Sequence, residues 1–245
     1  WFFMNMRNPP LKDLRVRQAI NLAVDRQAAI KVIAEGDGVV GNFFPFEGWG
    51  VPRDELLKMP GYRQPKDQDI AEAKKLLADA GYPNGFNMTI LSRNNDLTRK
   101  SAVFMTDQLA KIGVTATVQV LEDAMFWDSG RKAQHQAMVY TPTNFVADPF
   151  FMGRFFARRG TLNFAGNDED SKLSDLWEKQ TRTLDELERK TTIAQIERYL
   201  LAETLPAAPI VWPTSFIAMS PQERGFAPGI NDYSNNRHQE TWLAQ

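Results

Sequence analysis

The stretch Phe86-Asn-Met-Thr-Ile-Leu91 alternates apolar and polar side chains, as a strand with one buried face does. The run from Leu97 to Ile112 then repeats its apolar residues at helical spacing until Gly113 ends it. Val114-Thr-Ala-Thr-Val-Gln-Val-Leu121 is rich in β-branched residues and predicts a second strand. Two strands joined through a helix by short turns form a right-handed crossover, so we expect them to lie parallel.

A parallel pair gives the predicted sheet a binding edge, because ligands of such sheets collect outside the carboxyl ends of the strands. The first such end is the polar loop Ser92-Arg-Asn-Asn-Asp96. A third predicted strand, His135 to Tyr140, opens into a loop that ends at the helix-starting pair Asp148-Pro149. These loops supply the first candidate ligand-binding residues, which are Arg93, Asn94, Tyr140, Thr143, Asn144 and Phe145.

Trp49 and Arg154 complete the candidate ligand-binding residues. Trp49 is flanked by glycines in the aromatic tract from Phe43 to Pro52, where the prolines preclude a regular strand. The tract either covers the core or holds Trp49 at a cleft wall, where an indole stacks on a ligand. Arg154 lies one or two turns into the helix that begins at Asp148, where it meets either an anionic group or a neighbouring side chain.

The bulk composition excludes several classes of protein. The 245 residues suffice for one large or two modest domains with a core of their own. Lys and Arg number 29 against 30 Asp and Glu, so nucleic acid is not an expected partner. Cysteine is absent and only His135 and His238 are present, so we predict no disulfide, no metal site and no cofactor. No apolar run reaches the roughly 18 residues of a membrane span.

Cap residues and short apolar runs predict further elements. Asp25 is expected to cap one helix, and Asp67 or Asp69 the next long one. Near the C-terminus, Ile210-Val-Trp212 and Ser215-Phe-Ile-Ala-Met219 predict two short strands separated by a proline. The chain opens at full hydrophobicity with no initiator methionine, so we expect it to begin partway through a longer protein.

Motifs of the common enzyme classes are absent. The chain has no Gly-x-Ser-x-Gly elbow of a serine hydrolase. The turn from Ser92 to Asp96 has no glycine, so a nucleotide-binding loop is absent as well. The carboxylates of Glu122, Asp123 and Asp128 fall on one short predicted helix, with nothing to pair them across a cleft. We therefore predict a binding module rather than an enzyme.

Four stretches of the chain carry a resemblance to known proteins. They are Asn8-Pro-Pro-Leu-Lys-Asp-Leu-Arg-Val-Arg-Gln-Ala-Ile20 with Ala23-Val-Asp-Arg26, Ala71 to Phe86, Leu109-Ala-Lys-Ile-Gly-Val114 and Leu205-Pro-Ala-Ala-Pro-Ile210. In this order and spacing they cover nearly the whole chain. Together they resemble the C-terminal half of family 5 extracellular solute-binding proteins, the dipeptide- and oligopeptide-binding receptors of ABC importers.

The resemblance implies an α/β fold, a periplasmic-binding-protein-like lobe with a mixed, mainly parallel sheet flanked by helices. It implies a two-lobed receptor that captures a small solute by hinge closure. Residues 1–8 would be a hinge strand from a missing first lobe, residues 9–216 the second ligand-binding lobe, and residues 217–245 a hinge and return segment. The implied partners are the first lobe and an ABC permease, in the periplasm or outside the cell on a lipid anchor.

One departure from the family pattern bears on the ligand. Peptide-binding members carry an acidic residue about three positions before the Asp-Pro pair, and it holds the amino terminus of the peptide. The corresponding position here is Phe145. An ammonium against Phe145 would have no counter-charge, and desolvating it unpaired costs several kcal/mol. A neutral or anionic solute, such as a sugar, an opine-like conjugate or an aromatic acid, is therefore favoured over a free peptide.

Two other functions stay open from the sequence. The same kind of lobe occurs fused to DNA-binding heads in transcriptional regulators. A helix-turn-helix upstream of Trp1 would indicate that function, whereas a signal peptide or lipobox would exclude it. The other is an enzyme with an unrecognised site, which turnover by the purified full-length protein would reveal.

Overall fold

The computed structural model describes residues 1–46, 48–142, 148–157, 160–166, 169–226 and 240–244. Its strands are β1 (Phe2–Met4), β2 (Gly38–Val40), β3 (Asn87–Arg93), β4 (Thr115–Leu121), β5 (Ala137–Val139), β6 (Ala207–Ala208), β7 (Val211–Pro213), β8 (Glu223–Arg224) and β9 (Trp242–Leu243). Its helices are α1 (Leu14–Ala23), α2 (Arg26–Val32), α3 (Arg53–Leu56), α4 (Asp67–Asp79), α5 (Asp96–Ala110), α6 (Asp123–Arg131), α7 (Gly153–Phe156), α8 (Ser171–Arg182) and α9 (Glu186–Tyr199). A 3₁₀ turn, Pro149–Met152, precedes α7, and a π-helical turn, Leu200–Thr204, follows α9.

Five strands form the central sheet, in the order β4-β3-β5-β1-β6. Strand β3 runs parallel to β4 and β5, whereas β1 runs antiparallel to β5 and β6. The four strands other than β1 therefore point the same way. Their carboxyl ends lie along one edge of the sheet, together with the amino end of β1. The predicted mixed, mainly parallel sheet flanked by helices is confirmed.

The crossover from β3 through α5 to β4 is the one that the sequence predicts. The two strands pair in parallel along their whole length. Helix α5 begins where the Asn95 side chain accepts a hydrogen bond from the N–H of Thr98. Gly113 then turns the chain into β4 with a φ of +87°, a conformation that glycine adopts without strain.

The two faces of the sheet bury separate hydrophobic clusters, because successive strand side chains point to opposite faces. Phe2 and Met4 of β1 join one cluster, and Phe3 joins the other together with Trp1, which precedes the strand. The first cluster is mainly aliphatic and includes residues of α1, α2, α4 and α5. The second contains many rings, several of them from the described residues of 41–52, which we call the aromatic loop.

Capping aspartates show where local prediction succeeds and where it fails. Asp25 caps α2, as predicted. Neither of the two predicted aspartates caps α4, and Asp69 is fully buried. Its carboxylate accepts the backbone N–H of Gly61 at 3.1 Å and pairs with Arg63 and Lys66. The predicted Asp69 cap is wrong because a tertiary contact provides stronger donors than its own helix does.

The segment after β7 forms no second strand, so the strand predicted over Ser215–Met219 is wrong. Phe216 is 75% exposed there, and no strand among the described residues pairs with this segment. Further on, β8 and β9 pair with each other in an antiparallel arrangement. An apolar run alone therefore does not form a strand where no neighbouring strand completes its hydrogen bonds.

Candidate functional site

A cleft opens at the edge where the strands of the central sheet end, and we call it the strand-end cleft. Its walls come from the start of β1, from α5, from the residues after β5 and from the segment that leads into β7. It is a shallow crevice, with about 20 Å³ of room for the centre of a water-sized molecule, and the rest of its space is open to solvent. The side chains that form it include Trp1, Leu97, Ser101, Thr141, Pro142 and Trp212. Most of its lining residues are apolar, and polar atoms, including the hydroxyl groups of Ser101 and Thr141, form part of its exposed surface.

Arg93 and Asn94 lie at this edge and contact the loop after β4. Arg93 forms a bidentate ion pair with Asp123, with Nε 2.8 Å from Oδ1. Asn94 donates a hydrogen bond to Oε1 of Glu122 at 3.0 Å. The hydrogen bond from Arg93 lowers the pKa of the Asp123 carboxyl. The two loops are therefore tied together, and the Arg93 guanidinium is bound to a neighbouring carboxylate.

Tyr140 lies beneath the strand-end cleft and is 8% exposed. The Trp1 nitrogen donates to the Tyr140 carbonyl at 2.9 Å, and the Tyr140 N–H donates to the Trp1 carbonyl at 3.1 Å. These bonds extend the pairing of β1 with β5. The rings around Tyr140 are those of Phe126, Trp127, Phe155 and Phe164. Tyr140 thus supports the cleft wall from within the core.

Trp49 lies in a second cleft, which shares no lining residue with the strand-end cleft. The guanidinium carbon of Arg189 is 5.1 Å from the Trp49 ring, and the Lys190 ammonium is 5.5 Å from it. Both distances suit cation–π attraction. Arg189 also pairs with Asp148, at 2.6 and 2.9 Å. Arg93 lines neither of these two clefts, so the structure does not place Trp49 and Arg93 in one cleft.

Arg154 stands on α7 between aromatic rings. Its guanidinium carbon is 5.0 Å from the ring of Phe151 and 5.6 Å from the ring of Phe155. Its Nε is buried and has no hydrogen-bond partner among the described residues. The three remaining candidates lie outside the described residues, and they are Thr143, Asn144 and Phe145.

Trp1, Trp212 and Asn42 form a part of the edge that sequence analysis did not select. The backbone carbonyl of Asn42 accepts the indole N–H of Trp1 at 3.2 Å and that of Trp212 at 3.0 Å. Trp212 lies in β7, a few residues after β6, the last strand of the central sheet. The order of the strands could therefore have indicated that it lies near this edge. Its contact with Asn42 spans 170 positions of sequence and leaves no local signal.

The described lining residues of the strand-end cleft carry apolar and hydroxyl side chains. Its described lining residues include no titratable side chain. In the part of the chain that the structure describes, no group of three or more His, Cys, Asp or Glu side chains could hold a metal ion. Within the same residues, no helix combines the length and the apolarity needed to cross a bilayer.

Comparison with known proteins identifies the family. The sequence profile described as "Bacterial extracellular solute-binding proteins, family 5 Middle" matches residues 1–162. The match covers more than half of the chain, and the chain therefore belongs to this family. The predicted resemblance is confirmed.

Individual relatives extend the match over the whole chain. The glutathione-binding protein GsiB of Salmonella typhimurium is 34% identical over 143 residues, which are 56% of this chain and 26% of that protein. Heme-binding protein A of Haemophilus influenzae is 25% identical over 235 residues, 91% of this chain and 40% of that protein. The periplasmic binding protein DppA of Helicobacter pylori, solved with the peptide STSA, matches 100% of this chain and 47% of its own, with 26% identity and a TM-score of 0.81.

The chain is much shorter than each of these relatives. The chain covers less than half of the length of all three relatives. The structural match shows the fold of a periplasmic binding protein. All three are named as binding proteins and not as enzymes.

Proposed function

We propose that this chain is the second ligand-binding lobe of a receptor that delivers a small solute to an ABC import system. The observation that carries the proposal is the strand-end cleft at the carboxyl edge of the sheet, whose described lining residues are mostly apolar and have no titratable side chain. One open wall leaves a solute partly in water. When the first lobe closes over this wall by a hinge, the solute is buried on both sides and is trapped without being altered.

Exposed apolar side chains near the C-terminus support the proposed first lobe, which would cover them. They are between 47% and 75% exposed, and they belong to Phe216, Ile217, Met219, Trp242 and Leu243. Apolar groups that are close in the chain and uncovered mark a surface that another part of a protein covers. We infer that residues 217–245 pack on a first lobe, that residues 1–8 form a hinge strand, and that residues 9–216 form the second lobe.

The proposal includes the partners and the place of action. The partners are the first lobe of the same protein and the ABC permease that receives the solute. The receptor works in the periplasm, or outside the cell on a lipid anchor, and contacts the membrane through the permease or that anchor. The Helicobacter pylori relative is a periplasmic, ABC transporter-associated binding protein, which supports this placement.

We further propose that the solute is neutral or anionic rather than a simple free peptide. The sequence places Phe145 where peptide-binding relatives carry the acidic residue that holds the peptide amino terminus. An ammonium without a counter-charge is costly to desolvate. The named ligands of the relatives, glutathione, heme and a tetrapeptide, show that this family accommodates several chemistries.

Phe145→Asp is expected to raise the affinity of the full-length protein for the peptide STSA by about tenfold or more. The new carboxylate supplies a charge-assisted hydrogen bond to the peptide ammonium, worth about 1.5–3 kcal/mol. Isothermal titration calorimetry at fixed ionic strength measures the change. The amino-acetylated peptide is the control, since it has no ammonium and gains nothing. Tight binding of STSA by the unaltered protein, with no gain in the variant, would contradict the proposed solute class.

Native mass spectrometry of the full-length protein as purified is expected to show a retained solute. The same solute should bind the isolated 245-residue chain more weakly by about a hundredfold or more, because one wall buries far less of its surface. Titration calorimetry on both proteins measures the ratio. Undiminished affinity of the isolated chain would contradict the two-lobed trap. Chemical conversion of the solute by the full-length protein would show an enzyme instead.

A further inference from the structure

One buried carboxylate holds the aromatic loop to the rest of the protein. Glu197 lies in α9 and is fully buried. Its Oε1 accepts the N–H groups of Phe43 at 2.7 Å and of Phe44 at 3.3 Å. Its Oε2 accepts the N–H of Val51 at 2.6 Å. The carboxylate thus binds the aromatic loop near both of its ends.

The fit between the aromatic loop and this carboxylate is close. Gly50 has a φ of +76°, a region in which side chains other than glycine are strained. A Cβ at Gly50 would lie 2.2 Å from Oε2 of Glu197. The backbone of the loop therefore passes directly over the carboxylate. Several N–H donors at short range are what a buried carboxylate requires.

The peptide group that Glu197 binds also supports the strand-end cleft. The N–H of Phe43 and the C=O of Asn42 belong to the same peptide group. That C=O accepts the indole N–H groups of Trp1 and Trp212, and the Trp212 N–H is shared with Oδ1 of Asn42 at 3.1 Å. The two indole rings meet edge to face, with centroids 6.0 Å apart, and both line the strand-end cleft. A continuous series of hydrogen bonds therefore connects the buried carboxylate to the cleft wall.

Two properties of the peptide group make this connection effective. The group is planar, so a movement of its N–H moves its C=O as well. Hydrogen bonds in series polarise one another, so a carboxylate on the N–H makes the C=O a stronger acceptor for the indoles. Loss of the negative charge, or of one acceptor oxygen, therefore weakens the hold on both rings.

We propose that Glu197 is a positioning residue for the solute site, which sets the orientation of Trp1 and Trp212 through the peptide group between Asn42 and Phe43. The inference deepens the proposed function. It rests on that function only in taking the strand-end cleft as the place where the solute binds. Glu197 acts from within the core and contacts the solute through these rings alone.

Of Glu197 and the described charged or titratable groups that face it, Glu197 is the one with a pKa near neutral pH. Burial raises the pKa of its carboxyl to about 7, against the opposing effect of the loop N–H groups. Among the described residues, the charged or titratable groups that face it are Tyr62 and Arg198. Burial raises the pKa of Tyr62 to about 12, and the hydrogen bond to Glu55 raises the pKa of Arg198. The same bond lowers the pKa of Glu55.

The test observes the indole N–H groups in full-length protein labelled with ¹⁵N-tryptophan. Tryptophan-to-phenylalanine variants assign the cross-peaks. In Glu197→Gln, the side-chain nitrogen accepts no hydrogen bond, so at least one loop N–H loses its acceptor. We expect the cross-peaks of Trp1 and Trp212 to shift upfield, toward free indole in water. The cross-peak of Trp127, whose described ring contacts are with Phe126, Tyr140 and Phe164, should keep its position.

Glu188→Gln is the matched control, because Glu188 is an exposed glutamate of the same helix that pairs with Lys179. All three cross-peaks are expected to keep their positions in this variant. Unmoved Trp1 and Trp212 cross-peaks in Glu197→Gln would overturn the proposal. An equal shift in the Glu188→Gln control would overturn it too.

A pH titration of the unaltered protein decides the question even if Glu197→Gln does not fold. The Trp1 and Trp212 cross-peaks are expected to move together, with a midpoint near the Glu197 pKa of about 7, while the Trp127 cross-peak stays in place. If neither the Trp1 nor the Trp212 cross-peak moves between about pH 5 and pH 8.5, the proposal is overturned. Neither measurement needs a solute, so a negative result leaves the proposed function standing, and a failure to bind solute leaves this inference standing.

Discussion

Arg26→Met is expected to lower the free energy of unfolding by about 3 kcal/mol or more, since each buried acceptor left without a donor costs about 1–3 kcal/mol. Arg26 is buried in α2, and its Nε donates to the Pro209 carbonyl at 2.9 Å. Its Nη1 donates to the Gly61 carbonyl at 2.5 Å, and its Nη2 to Oδ1 of Asn21 at 2.6 Å. Methionine fills much of the same space but donates to none of these acceptors.

The expected loss is large because three separate segments meet at this guanidinium. Pro209 follows β6, Gly61 precedes α4, and Asn21 lies in α1. The ring of Tyr62 covers the guanidinium, with its centroid 3.9 Å from the guanidinium carbon. Desolvation lowers the pKa of Arg26, an effect that its neighbours Tyr62 and Asp69 oppose. Removal of this side chain therefore loosens several elements at once.

Chemical denaturation of the full-length protein, with comparison of both midpoint and slope, measures this prediction. The stability of Arg26→Lys should lie between those of the unaltered protein and Arg26→Met, because an ammonium has no planar fork to reach all three acceptors. Arg15→Met is the control, since Arg15 is exposed and pairs with Asp13 at the surface. An Arg26→Met protein as stable as Arg15→Met would show that the buried hydrogen bonds do not hold these segments.

Gly85→Ala is expected to destabilise the protein by about 3 kcal/mol or more, because strain and a steric clash add at one position. Gly85 has a φ of +72°, and a Cβ there would lie 1.8 Å from the carbonyl oxygen of Gly113. That oxygen belongs to the turn into β4, so the clash is relieved only by moving the backbone of the central crossover. Thermal denaturation followed by circular dichroism measures the loss.

Gly81→Ala is the matched comparison for this prediction. Gly81 has a φ of +91°, and a Cβ there would meet no atom within 4 Å. The substitution therefore carries only the cost of a left-handed conformation, about 1–2 kcal/mol. Equal losses in Gly81→Ala and Gly85→Ala would contradict the close contact between Gly85 and Gly113.

Much of the central fold was predictable because it depends on local patterns. Period-two alternation predicts β3 and helical spacing predicts α5, and both elements occur where expected. Asp25 and Asp148 cap the elements that follow them, as their short acceptor side chains suggest. Asp69 has the same side chain, yet it is buried against Arg63. Sequence alone does not separate these cases, because the partners of Asp69 are only a few residues away and the path of the loop before α4 decides whether they reach it.

The candidate site was predictable only in part. The rule that ligands collect at strand ends predicts Arg93 at the edge where four of the five central strands end, and the structure has it there. It does not reveal that Asp123 already binds the Arg93 guanidinium. The same rule does not apply to Trp49, a loop residue that the fold places in a different cleft.

The sequence by itself determined the family, the order of the central strands and helices, and the parallel direction of β3 and β4, because these follow from short-range periodicity and from motifs continuous along the chain. Only the tertiary structure decided which side chains form the wall of the strand-end cleft. Asn42 joins Trp1 and Trp212 there, and Glu197 holds the peptide group that carries the Asn42 carbonyl. Hydrogen bonds between residues so far apart depend on how the elements pack, and no local pattern encodes that packing.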